Sequence, residues 1–319
     1  MGTFEELLGH VIDLDFVTHE SMIEAASFWK LEEYQFDNGS FKGSINAVHT
    51  LNIQIANTIR SNGIFIKGDT PKNTYMFASI ESKGKKTQNG LSIFDDELVV
   101  LTENDQLDYI VSSAVNDVSI AIDKDFFDDA FKNYFNEPFQ YDNINQRIQL
   151  KKNAGSYFRA SVKELLFNLM EQNLKLQNDP DFHEKVEHAI LKIIFQNIDL
   201  SRQRKKRLNS EINADKIRKY IEMNYKNDIC INELCTNEKL SERTLRLSFN
   251  NLFGLSPKQY HKCYRLGKIH HAFLQNDYTL ETVENIAYNH GFTHMGHFSN
   301  SYKLMFGNTP SHTLKKIPS

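Results

Sequence analysis

The sequence predicts an α+β protein with two unlike halves. The N-terminal half reads as an antiparallel β-barrel or sandwich with covering helices, the C-terminal half as an all-α domain with two helix-turn-helix units. Three observations carry this. Phe249, Phe253, Gly254 and Pro257 recur 53 positions later as Tyr302, Phe306, Gly307 and Pro310, so one helical pattern is written twice. Short alternating segments broken by Asn-Gly and Gly-Asp turns fill the chain from about Phe28 to Asp123. Charge is also divided. The formal net charge is -4, but residues 201–319 hold 19 Lys+Arg against 10 Asp+Glu, a net of +9, and the remaining 18 basic and 31 acidic residues give -13. Such asymmetry points to one nucleic-acid-binding half and one acidic partner domain. A chain of 319 residues is long enough for two cores.

Taken in order, residues 1–27 read as a mixed, partly helical lead-in. Leu51, Ile53 and Ile55 then alternate with polar or small residues, and apolar runs follow at 64–66, 75–80, 98–101, 107–111 and 118–122. Aromatics such as Phe65, Tyr75, Phe77 and Tyr109 serve either core packing, the reading favoured here, or a ligand pocket. After Asp123, an N-cap type, helices begin. Residues 154–177 and the segment after Asp179-Pro180 carry broad apolar stripes, the second through Val186, Ile190 and Ile194. These stripes cover the barrel or pair two chains in a homodimer through 154–200. Five of the six residues 202–207 are cationic, marking 201–211 as an extended linker between domains 1–200 and 212–319.

In the C-terminal half, Ser241 is placed to cap the first recognition helix, whose Leu245, Phe249 and Leu252 or Phe253 turn inward. The opposite face then offers Arg243, Thr244 and Arg246 to bases. Arginine suits guanine because its fork bonds O6 and N7 together. Ser256-Pro257 and Thr309-Pro310 each pair an N-cap with proline at the first helical position. Lys258 and Arg265 decorate the long helix that follows Pro257 and are expected at phosphates, as are Ser241, Thr293 and Lys303. In the second unit Gly291 stops a helix in left-handed conformation and Thr293 caps the next. His294, His297 and Asn300 face outward for base contact around Gly296.

This arrangement resembles the AraC/XylS family of bacterial transcription regulators over roughly residues 212–316, through Gly291-Phe292, Phe298-Ser299, Tyr302-Lys303, Phe306-Gly307 and Thr309-Pro310. The ending through Leu314 looks closer to the ethanolamine-operon-regulator branch than to the sugar-responsive members. The resemblance implies contact with two successive major-groove segments and an N-terminal barrel that senses a small-molecule effector or dimerises. Two positions depart from it: the family often has Arg where Leu247 stands and usually a basic residue where Asn300 stands.

Double-stranded DNA, a second copy of the chain, an unidentified effector and RNA polymerase are therefore the expected partners, with no membrane among them. No apolar run approaches a membrane span, and the expected location is the cytoplasm. No cofactor, metal or catalytic set is expected. The three cysteines are unpaired in pattern, and His290, His294 and His297 lack the carboxylate or thiolate that would complete a metal site. An enzyme fused to a DNA-binding module would need a nucleophile or ligand set that is not visible. A dimeric co-regulator without a ligand would share every C-terminal feature and differ only in a filled N-terminal barrel.

Overall fold

The computed structural model describes residues 8–26, 29–144, 146–172, 179–201, 208–275 and 282–315. The cationic stretch 202–207, read as a linker, lies outside the described residues. The N-terminal half forms two antiparallel sheets. One is seven-stranded, in the order β1 (Val11–Phe16), β3 (Gly43–His49), β4 (Ile53–Arg60), β11 (Val115–Asp123), β6 (Thr74–Ser82), β9 (Glu97–Thr102) and β12 (Arg147–Gln149). The other is five-stranded: β2 (Lys30–Gln35), β5 (Ile64–Asp69), β10 (Gln106–Val111), β7 (Lys86–Gln88) and β8 (Leu91–Ser92). They stack as a sandwich and do not close into a barrel. The Asn89-Gly90 turn joins β7 to β8 with both residues at positive φ, as the commonest two-residue hairpin requires.

Side chains alternate along each strand, so the seven-stranded sheet has two distinct faces. Val48, Ile55, Phe77, Val118 and Ile120 point outward, beneath α2 (Lys124–Phe135), α4 (Gly155–Glu171) and α5 (Pro180–Asn197). Ile190 and Ile194 of α5 are 1% and 0% exposed within the single chain. Val162, Leu166, Leu169, Ile190 and Ile194 are spent on covering the sheet while Leu165 and Met170 stay partly exposed, so a homodimer through 154–200 would rest on what this packing leaves open. Burial of each such side chain stabilises the fold by roughly 1.5–3 kcal/mol.

The inner face carries a row of small residues in one register. Ala47 pairs with Ala56, Ala56 with Ser119, and Ser119 with Ala78. Four adjacent strands thus lack bulk at the same level, and a cavity of about 150 Å³ opens between the sheets. Tyr109 of β10 lines it from the opposite sheet. Phe65, Tyr75 and Phe77 are core, as favoured from sequence.

The C-terminal helices are α6 (Asn209–Met223), α7 (Ile231–Glu238), α8 (Glu242–Phe253), α9 (Pro257–Gln275), α10 (Val283–Asn289), α11 (Met295–Phe306) and α12 (Pro310–Lys315). They do not stand apart from the sandwich. Tyr34, Phe36, Phe65 and Ile110, on the outer face of the five-stranded sheet, share one apolar cluster with Ala214, Ile217, Phe249, Phe253 and Tyr260. Arg218, fully buried in that seam, bonds Asp108 through both terminal nitrogens (2.8 and 2.6 Å) and also Asp215 and Glu222. Lys67 reaches Glu222 from the sheet at 2.7 Å. These partners neutralise a charge that would otherwise be costly to bury.

Candidate nucleic-acid interface

The first recognition helix, α8, begins as its sequence requires. Ser241 Oγ accepts from the Thr244 backbone N–H at 3.1 Å, and Leu245, Phe249, Leu252 and Phe253 are buried. The opposite face leaves Ser241, Arg243 and Thr244 exposed. Arg246, half-exposed, donates from Nε to Glu242 Oε1 at 2.7 Å. A guanine must displace that carboxylate before it can use Arg246, whereas Arg243 starts without such a competitor. Leu247 stands exposed beside them, an apolar residue on a surface otherwise suited to polar contact.

The second recognition helix, α11, buries Phe298, Tyr302 and Met305 and exposes His294, Gly296, His297 and Asn300. The rings of His294 and His297 stand 6.3 Å apart. Thr293 does not cap this helix. His294 occupies the N-cap position without a side-chain cap bond, so the first amides of α11 stay open toward the surface that would meet DNA. A Cβ added at Gly296 meets nothing within 4 Å, which leaves bare backbone there. Lys258 and Lys303 are also exposed.

Arg265 corrects the sequence reading. Expected at phosphate, it is 6% exposed and donates to the backbone carbonyls of Tyr225, Gly291 and Asn227 at 2.8–3.0 Å, with its guanidinium over the Phe292 ring. It ties the turn before α7 to the Gly291 turn and so fixes the two units relative to each other. Gly291 itself has φ +85°, and a Cβ there would lie 1.9 Å from the Lys226 carbonyl oxygen.

The duplicated glycines show what sequence could not. Gly254 and Gly307 end α8 and α11 at φ +72° and +76°. Each abuts a serine of the sandwich: Ser112 lies against Gly254 and Ser40 against Gly307. The N-terminal half therefore grips both recognition helices at their C-terminal ends. Arg243, Thr244, His294, His297 and Asn300 stay exposed in this docked arrangement. Among the described residues, no group of three or more His, Cys, Asp or Glu is placed to hold a metal ion.

A family described as a helix-turn-helix domain matches residues 234–316. The chain is 32% identical over 99 residues to a "Probable thc operon regulatory protein" of Rhodococcus erythropolis, covering 31% of this chain and 30% of that one. It is 29% identical over 102 residues to the XylDLEGF operon transcriptional activator of Pseudomonas putida, covering 32% of each. The chain thus spans about a third of the length of these curated relatives. A solved structure of a probable AraC family transcriptional regulator from Rhodopseudomonas palustris is 32% identical; the match covers 34% of this chain and 99% of that one, with a TM-score of 0.32. On the duplicated motif and these sequence matches, the chain belongs to the AraC/XylS family of transcription regulators.

Proposed function

We propose that the protein is a sequence-specific regulator that reads two successive major-groove segments with α8 and α11 and answers to a small-molecule effector held between its sheets. The carrying observation is the exposure of Arg243 and Thr244 on one recognition helix and of His294, His297 and Asn300 on the other. Two turns of the same repeated unit present them. The bracing helix α9 is 19 residues long, about 28 Å at 1.5 Å per residue and of the order of one DNA turn. The exposure of Ser241, Lys258, Thr293 and Lys303 supports phosphate contact in this reading. In this reading 1–200 is the sensing unit, 201–211 the connection and 212–319 the DNA-reading unit, with RNA polymerase as a further partner. A second copy, if it binds over 154–200, must use exposed Tyr157 and Phe167 rather than the buried stripe. The cavity favours effector control over a ligand-independent co-regulator, whose sandwich would be filled.

The test is affinity for a duplex selected from a random pool against affinity for unselected DNA. Arg243→Ala should remove about 1–3 kcal/mol of discrimination, and His297→Ala less. Equal losses on both duplexes would reduce these side chains to phosphate contacts.

A further inference from the structure

The cavity and the second recognition helix are joined by an unbroken chain of buried polar contacts. At the cavity wall Arg60 Nη1 lies 3.6 Å from Asp117 Oδ1. Arg60 Nε donates to Glu33 at 3.0 Å. Glu33 accepts from His19 Nδ1 at 2.6 Å, and His19 Nε2 reaches Gln35 Oε1 at 3.2 Å. The amide nitrogen of Gln35 in turn faces the carbonyls of Asp37, Gly39 and Met305, the last at 2.6 Å. That arrangement fixes which end of the amide is oxygen, so Glu33 Oε1 and Gln35 Oε1 each face one ring nitrogen of His19. Gly39 N–H donates to the Leu304 carbonyl at 3.0 Å. Two carbonyls at the end of α11 are thus capped by the sandwich.

The short helix α1 (His19–Ala25) contributes His19 to this chain. Ala25 and the following Ala26 line the cavity. At its other end Glu20 bonds His270 Nε2 at 2.9 Å, and His270 Nδ1 lies 2.6 Å from the Tyr302 hydroxyl of α11. Burial works to raise the Glu20 pKa, but the His270 hydrogen bond and charge outweigh it and hold the carboxyl down at about 2. One end of α1 touches the cavity and the other touches the second DNA-reading unit.

The lining states the ligand's chemistry. Tyr109 is 5% exposed, and its hydroxyl has no hydrogen-bond partner among the described residues. Arg60 is already paired with Glu33 and Asp117, so an added anion would be buried without a counter-ion. At the far end His49 accepts from the Gln54 amide, and burial, then the nearby His10, lowers its pKa to about 4, which keeps it neutral. The remaining wall is Ala47, Ala56, Ala78 and larger apolar side chains, with the neutral polar groups of Thr58, Gln88 and Ser119 among them.

We propose that the cavity takes a small, uncharged, largely apolar molecule whose one hydroxyl accepts from Tyr109 and donates to Asp117, and that occupancy loosens α11 through Glu33, His19 and Gln35. This rests on the reading of the cavity as the effector site. Arg60 Nη1 also donates to Thr58 Oγ1 at 2.9 Å, and Thr58 donates to Asp117 Oδ1 at 2.6 Å, so a ligand hydroxyl donating to Asp117 would compete within this cluster and shift Arg60 against Glu33.

The test uses the full-length protein with phenol, benzene and benzoate as probes, since a dry cavity of this size accepts a benzene ring. Phenol should raise the melting temperature with concentration. Tyr109→Phe should weaken phenol about three- to tenfold, the worth of one hydrogen bond, and leave benzene unchanged. Phenol should also speed hydrogen exchange of the amides around 304–308 severalfold, and Gln35→Leu should show that faster exchange without ligand. If Gln35→Leu does not fold, the phenol comparison on the wild-type chain still decides. Phenol binding with unchanged exchange at 304–308 would overturn the coupling and leave the effector reading standing. Benzoate binding as tightly as phenol would overturn the uncharged class. No shift with any probe, in stability or in DNA affinity, would overturn the effector reading itself.

Discussion

Residue type fixes what a side chain can do, and its neighbours decide whether it does it. Arg243, Arg246 and Arg265 look alike in sequence, each a cation on an amphipathic helix. In the fold one is exposed, one is held by Glu242, and one is buried among carbonyls. Nothing in spacing separates them, because a buried arginine needs partners from distant turns. Arg218 was illegible for the same reason: Asp215 and Glu222 at i-3 and i+4 look like a solvated helix surface. Gly296 is the opposite case, visible in sequence as out of place in a helix and open in structure. Gly296→Ala should stabilise the protein by about 0.5–1 kcal/mol, since alanine is the better helix former and meets nothing. The same change should weaken DNA binding if backbone approaches DNA there. Thermal melts and affinities on one preparation check both, and a variant that gains stability with unaltered DNA affinity would show that position 296 does not meet DNA.

At the scale of elements, apolar period carried most of what could be foreseen. The strands β4, β5, β6, β9, β10 and β11, the N-caps Asp123 and Ser241, the Pro257 and Pro310 starts and the inward faces of α8 and α11 were legible because burial there is apolar and periodic. β1 and β2 were not. β1 is an edge strand with two aspartates, and β2 buries Glu33 and Gln35 on its inner face, polar residues that no hydrophobic pattern reveals. The proposed relay runs through that strand, which is why it had no signature. The stripe over α5 was legible as apolar, but not the surface it meets. Because Ile190 packs against the sheet, Ile190→Asp should cost several kcal/mol by placing an unpaired charge in the core. The expected result is an unfolded or strongly destabilised chain in denaturant melts. A folded variant that merely changes oligomeric state in sedimentation would restore the dimer reading.

For the whole molecule, the division of charge anticipated two roles but not how closely they are joined. The sandwich completes the apolar cluster of the first unit through Tyr34, Phe36 and Phe65, caps the second through Gly39 and Gln35, and leaves the basic recognition surface open. The acidic half thus sits where it can bear on both helices without covering them. Among the described residues, no helix is long and apolar enough to cross a membrane. The most direct measurement of the central claim is a footprint of the full-length protein on a duplex that it selects from a random pool. Two protected major-groove segments about one helical turn apart are expected, with Arg243→Ala erasing one of them. A single protected segment, or selected DNA bound no more tightly than random DNA, would contradict it.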